Sequence, residues 1–205
     1  MIVVIDYGAG NLRSVTNALL KIGCHPKVTG DPAVVLKADA VIFPGVGAAK
    51  DVMSSLKKSG LDIAIKEFIG KGKPFLGVCI GMQVLLSSTE EDGGHDCLGI
   101  VPGKVKRLPQ GMKVPHMGWN QVRQVRIHPI FDGIPDNENF YFVHSYYADP
   151  DDASVRIGTT EYGVEICSAL SKGNLIATQF HPERSDASGL KFYSNFLKLA
   201  GMGVN

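Results

Sequence analysis

Short runs of continuous apolar residues alternate along this chain with stretches in which apolar side chains recur every three or four positions. Residues 2–6, "IVVID", are β-branched up to Asp6, as in a strand buried on both faces. "NLRSVTNALLKIG" then sets Leu12, Val15, Leu19 and Ile22 at helical spacing. "ADAVIFPG", residues 38–45, repeats the strand and its turn, two amphipathic helical segments follow between Ala48 and Ile69, and "KPFLGV" supplies another strand before Cys79. After about Thr89 the texture changes. "EEDGGHD" is a polar loop, and residues 103–171 hold short alternating runs broken by Pro and Gly, which predict antiparallel hairpins. "NLIATQF", residues 174–180, is a last buried strand, and residues 187–199 form a closing helix carrying Leu190, Phe192, Phe196, Leu197 and Leu199. The predicted class is α/β: a mostly parallel sheet with helices on both faces, plus antiparallel hairpins in the second half.

Composition narrows this reading. With 205 residues and 44% hydrophobic content, the chain is long enough to bury a full core, and one α/β domain over residues 1–205 is expected. Lys plus Arg number 21 against 20 Asp plus Glu, a net charge of +1, so no overall field recruits nucleic acid or an anionic membrane. A small neutral or zwitterionic ligand fits better. Cys24, Cys79, Cys97 and Cys167 lie far apart with no Cys-x-x-Cys pair, which argues against a disulfide framework and against a cysteine zinc site. A reducing cytoplasm is the expected home. The apolar run from Ile2 to Ile5 is too short for a signal-peptide core, and no later run approaches a membrane span.

In an open parallel sheet, ligands bind beyond the carboxyl ends of the strands, so residues just after each strand carry the candidate chemistry. Cys79 follows one strand within Gly77-x-Cys79-x-Gly81, a pattern resembling a nucleophile elbow. Such a turn needs neighbours without side chains and exposes its nucleophile. The following helix is expected to favour a thiolate through its amides and dipole, with Ile80 N–H placed for an oxyanion. The other three cysteines read as small buried hydrophobes.

A nucleophilic thiol needs a base, and the chain offers six histidines. "ATQFHPERS" favours His181, which follows the last buried strand and so shares a rim of the sheet with Cys79. Pro182 is expected to hold the backbone extended, projecting His181 and Glu183 to one side so that the carboxylate meets the imidazole. His25, His95 and His128 lie in polar or proline-flanked loops, whereas His116 and His144 stay open. A third loop, "FPGVGAA", contains Gly45, Val46 and Gly47, whose amides could turn toward a shared point; a plain structural turn is the alternative. "DYGAGN" suggests a dinucleotide loop, but Arg13 stands where the third glycine belongs, so that fingerprint is discounted.

"GVCIGMQ" and "FHPE" together resemble the signatures of the class I, triad-type glutamine amidotransferases, and the resemblance runs over nearly the whole chain. "DYGAGNL", Met82 and "PHMGWN" look like one branch of that family, the glutaminase subunits of imidazole glycerol phosphate synthases in histidine biosynthesis. The resemblance implies a flavodoxin-like core and a Cys79, His181, Glu183 triad that hydrolyses glutamine through a thioester. It further implies that Gln83 and His144, Ser145 and Tyr146 help to bind glutamine, and that no metal or organic cofactor takes part. It implies a separate cyclase subunit of (β/α)8-barrel type as heterodimer partner, taking the ammonia, with Asn11, His116, Met117, Trp119 and Asn120 at the interface. For Trp119, ordinary packing in a hairpin is the competing reading. Three other functions remain open: a glutaminase serving a different synthase, a non-catalytic scaffold on the same fold, and a cysteine peptidase or esterase, since Cys-His-Glu also serves acyl transfer generally.

Overall fold

Strand β1 (Ile2–Ile5) is buried at every position because a layer of helices lies on each side of it. Successive side chains of a strand point to opposite faces, so Val3 and Ile5 enter one apolar cluster while Ile2 and Val4 enter the other. The computed structural model describes residues 1–8 and 11–203; Ala9 and Gly10 of the "DYGAGN" stretch lie outside the described residues.

From β1 the chain runs through α1 (Leu12–Lys21), β2 (Lys27–Thr29), α2 (Pro32–Lys37) and β3 (Ala40–Phe43) to α3 (Ala49–Ser59) and α4 (Leu61–Gly70). Strand β4 (Phe75–Val78) leads into α5 (Ile80–Gln83). Then come β5 (Ser88–Thr89), β6 (His95–Asp96), β7 (Gly103–Arg107), β8 (His116–Gln124), β9 (Glu138–His144) and β10 (Tyr146–Pro150). Strands β11 (Arg156–Glu161), β12 (Glu165–Lys172) and β13 (Leu175–Thr178) precede the closing helix α6 (Asp186–Leu199).

Among the described residues the main sheet has the order β2-β1-β3-β4-β13-β12-β11-β8-β9. Its first five strands are parallel, and the β2-β1-β3-β4-β13 order is that of flavodoxin-like sheets. The other four extend it antiparallel. Helices α2, α3 and α4 cover one face through Val35, Leu56 and Phe68, and α1 and α6 cover the other through Leu19, Phe192 and Phe196. A smaller sheet, β10-β7-β5-β6, packs by β10 against β12 and α5. The expected α/β class with helices on both faces and hairpins in the second half is what the structure has.

Two elements escape the sequence pattern. Strand β2 is a partly exposed edge strand, so no apolar run marks it. Helix α2 has only six residues, too few for periodicity, although Asp31 caps it by accepting Ala33 N–H at 2.8 Å and Pro32 opens its first turn. A third difference concerns α5, which is a single turn of four residues. So short a helix adds little macrodipole, and any help it gives a thiolate comes from its first amides.

Candidate active site

Cys79 joins β4 to α5 with φ 55° and ψ −107°, a left-handed backbone that a residue with a Cβ adopts only at a cost of about 1–3 kcal/mol. The glycines two residues away on either side are required by space. A Cβ on Gly77 would lie 2.8 Å from Gly81 O, and one on Gly81 would lie 2.1 Å from Phe43 O. Strands β3 and β4 therefore approach the elbow closely enough to hold it, and Cys79 N–H is tied to Thr178 O of β13 at 2.7 Å. The sulfur borders a cavity of about 260 Å³, small by the standard of ligand pockets. Cys24, Cys97 and Cys167 lie elsewhere, and burial pushes the latter two thiols up to about 11 and about 12.

His181 stands three residues past β13 and is 2% exposed. Its Nδ1 meets Glu183 Oε1 at 2.8 Å, and the second carboxylate oxygen accepts the Tyr193 hydroxyl at 3.4 Å. The sequence reading of this pair needs one correction. Pro182 does not prolong an extended segment; it opens a 3-10 turn, Pro182–Arg184, because its fixed φ suits the first helical position. His181 remains extended, and the turn brings Glu183 round to it. Edge strand β9 locks this loop, with His181 N–H donating to Tyr141 O and Ser185 Oγ lying between Tyr141 N and His181 O.

Burial alone would lower the His181 imidazole, but the Cys79 sulfur and the Glu183 carboxylate outweigh it and raise it to about 10. Its Nε2 is buried with no hydrogen-bond partner among the described residues.

Val46, Gly47, Cys79, Ile80, Gln83, Glu91, His144, Ser145 and Tyr146 meet around the cavity. His181 and Glu183 do not line the cavity, although the His181 imidazole lies near enough to Cys79 to be shifted by it, and His25, His95 and His128 lie elsewhere. Gly45 is a spacer: a Cβ there would sit 2.3 Å from Tyr7 Oη and 2.4 Å from Ile80 Cγ2. The expectation for the Val46 amide is corrected by Tyr7. Val46 N–H donates to the Tyr7 hydroxyl at 3.2 Å, so it is not free for an oxyanion, whereas Gly47 bends sharply there with φ 113°. Glu91, which sequence reasoning placed in a polar loop, brings a carboxylate to the cavity while accepting Ala49 N–H at 2.6 Å.

His116 and His144 are likewise corrected. His144 lines the cavity, but both its nitrogens are engaged, Nδ1 with Tyr146 O at 2.9 Å and Nε2 with His116 Nδ1 at 3.0 Å. His116 is 4% exposed, stacked between Phe142 and Tyr162, and so is not a surface residue. Burial lowers these imidazoles to about 4 for His116 and about 3 for His144. Both stay neutral when folded, while unfolded histidine takes up a proton near pH 6.5. Their contribution to stability is therefore present above about pH 6.5 and is lost as the pH falls toward the folded values. Plotting Tm against pH between 7 and 4 should give a shallower fall for His144→Gln than for wild type; an equal fall would contradict the neutral pair.

Of the remaining surface candidates, Met117 and Trp119 are 61% and 50% exposed on the outward face of β8. Trp119 touches the ring of Tyr141 edge-on, and the Arg184 guanidinium lies 5.0 Å over that same ring. Asn120 is half-buried, bonded to Glu161 O, and Asn11 begins α1, where it accepts the Ser14 hydroxyl. Packing in a core does not describe Trp119.

Residues 3–199 match the sequence family described as glutamine amidotransferase class-I. The Imidazole glycerol phosphate synthase subunit HisH of Dehalococcoides mccartyi (strain CBDB1) is 56% identical, over 98% of this chain and 98% of its own length. The subunit of the same name from Herpetosiphon aurantiacus is 50% identical, over 100% of this chain and 98% of its own. In fold, the chain is similar to a crystal structure of a glutamine amidotransferase, with a TM-score of 0.78 at 19% identity, covering 98% of this chain and 100% of that one.

Proposed function

The chain belongs to the class-I glutamine amidotransferase family, and on that footing we propose that it is the glutaminase subunit of an imidazole glycerol phosphate synthase. It hydrolyses glutamine to glutamate and ammonia. The observation that carries this reading is a cysteine held on a strained elbow at the rim of a small cavity, together with a buried His-Glu pair.

Cys79 is the nucleophile. Its thiol proton passes to His181 Nε2, a buried nitrogen without another partner among the described residues, which supports this role. The sulfur attacks the side-chain amide carbon of glutamine, and a C–S bond forms as the carbonyl oxygen takes the negative charge. Ile80 N–H and the Gly47 backbone are the donors proposed for that oxyanion. The C–N bond then breaks, His181 returns its proton to the departing nitrogen, and ammonia leaves a glutamyl thioester. A water that gives its proton to His181 adds to the thioester, and the C–S bond breaks to yield glutamate. Glu183 holds the imidazole throughout, and Glu91 offers its carboxylate to the α-ammonium of glutamine. The cavity is sized for one small polar molecule, which argues against a peptidase.

Ammonia is useful only where an acceptor captures it, and relatives of this chain carry the name of a synthase subunit. Residues 1–205 are proposed to act as one amidotransferase domain in the cytoplasm, paired with a cyclase of (β/α)8-barrel type. That partner is proposed to dock on Met117 and Trp119 of β8, with Asn11 at the start of α1 as a further contact. The test is glutamate release by the purified chain with and without the cyclase and its nucleotide ligand. Stimulation by both is expected; stimulation by a different synthase instead would reassign the partner. In the same assay Trp119→Ala should weaken the complex by about 2 kcal/mol, roughly thirtyfold in Kd. Unchanged affinity and coupling would remove Trp119 from the interface.

A further inference from the structure

Gln179 is fully buried, lies between β13 and His181, and has no part in the mechanism above. One end of its side-chain amide is 3.6 Å from Cys79 Sγ, and the other is 3.0 Å from the amide of Gln83. Which end is nitrogen decides what the sulfur experiences, and the hydrogen-bond network fixes it. The Tyr146 carbonyl can only accept. The Gln83 atom 2.8 Å from it is therefore Nε2, a donor. The same Nε2 also reaches Gln179, so the atom it meets there is Oε1, and the end of Gln179 facing sulfur is Nε2 with its hydrogens. His144 Nδ1 approaches the same Tyr146 carbonyl at 2.9 Å, so its two lone pairs are both in use and neither donor can turn away without loss. Glycines or alanine would have served a structural strand end; a buried, doubly bonded glutamine aimed at a sulfur calls for another explanation.

We propose that Gln179 is a catalytic residue of the glutaminase reaction: its Nε2–H holds the Cys79 sulfur as thiolate, with Gln83 and the Tyr146 carbonyl keeping that N–H turned toward it. The proposal rests on the reading of Cys79 as nucleophile. A hydrogen bond to a charged acceptor is about twice as strong as one between neutral groups, so this contact favours the ionised sulfur over the thiol. The thiol's other near neighbour, Val143 O at 3.8 Å, is an acceptor and stabilises only the protonated form. When the Cys79 proton moves to His181, the Gln179 contact strengthens while the Val143 contact is lost. Gln83 then has a divided role, with Nε2 committed to orientation and Oε1 left for glutamine.

The experiment compares wild type with Gln179→Met, a side chain of similar length that cannot donate. Alkylation of Cys79 by iodoacetamide is followed across pH, and glutamine turnover is measured in the complex with the cyclase. The apparent thiol pKa should rise by about one unit and kcat should fall about tenfold, with KM changed less than twofold. A residue that only fills space would shift KM or Tm and leave the alkylation profile in place. Should the variant unfold, nuclear magnetic resonance on the wild-type chain gives an independent answer. The Gln179 side-chain amide protons should titrate with the same midpoint as the alkylation rate, and that inflection should vanish in Cys79→Ser. An alkylation profile and kcat unchanged in Gln179→Met, or amide protons blind to the thiol, would overturn the role of Gln179 alone. A wild-type chain that neither labels at Cys79 nor turns over glutamine would overturn the nucleophile reading, and this proposal with it.

Discussion

Replacing Cys79 by alanine should leave the protein folded and stop glutamine hydrolysis, with glutamate release falling by about 10⁴-fold or more. Alanine has the same Cβ as cysteine, so the strain of the φ 55° elbow is unchanged by the substitution. The lost sulfur borders an existing cavity, and its removal enlarges that space while taking the acceptor from the buried Gln179 Nε2–H, at a cost of about 1–3 kcal/mol. Tm should therefore fall by several degrees. Cavity lining, Gln179 and the His181–Glu183 pair remain in the variant, and they supply no nucleophile. Steady-state assays of the purified variant in complex with the cyclase measure the loss; turnover above about a hundredth of wild type would contradict the assignment of Cys79.

His181→Ala should cost nearly as much activity, because nucleophile and base act as a unit, and it should also cost stability. Glu183 is almost wholly buried, and without the imidazole its carboxylate keeps, among the described residues, the Tyr193 hydroxyl alone. Breaking a buried pair in this way destabilises by about 3–5 kcal/mol. His181→Asn separates the two effects. Its side-chain N–H can take the place of Nδ1–H against Glu183, yet it has no group able to carry the proton between sulfur and leaving nitrogen. The asparagine variant should thus melt closer to wild type while remaining as inactive as the alanine variant. Glu183→Gln should lose less activity than either, since it alters orientation and leaves the base in place. In the wild type, the imidazole is raised to about 10 from an unfolded value of about 6.5. Its contribution to stability is accordingly full below pH 6.5 and disappears as the pH climbs through 10, opposite in sense to that of His116 and His144. Calorimetry on the two variants, paired with glutamate release, reads both quantities; an asparagine variant with appreciable turnover would mean that another group serves as the base.

The parallel half of the fold was legible because its strands are buried on both sides and so read as continuous apolar runs, Ile2 to Ile5 and Ala40 to Phe43 among them. Strand β2 was not, since an exposed edge strand carries no such run. The glycines around Cys79 announced a tight turn, and the structure gives each a specific clash to avoid. Other parts of the site depend on contacts distant in sequence. Nothing local tells that Tyr7 would occupy the Val46 amide 39 positions away, or that His116 would stack in the interior and not face out beside Trp119. Gln179 did leave a trace: a large amide at the end of a buried strand needs partners, and asking where they were would have pointed across the sheet to Gln83. Glu91 left none, because a glutamate in a polar loop is ordinary until the loop folds over the end of α3.

The central claim is that glutamine passes through a thioester on Cys79. Acid quenching of the complex during turnover, followed by mass spectrometry of the peptide that contains Cys79, tests it most directly. A glutamyl adduct on that cysteine, formed by wild type and missing from Cys79→Ala, is the predicted result. Rapid release of glutamate with no adduct on Cys79, or with an adduct on any other residue, would contradict it.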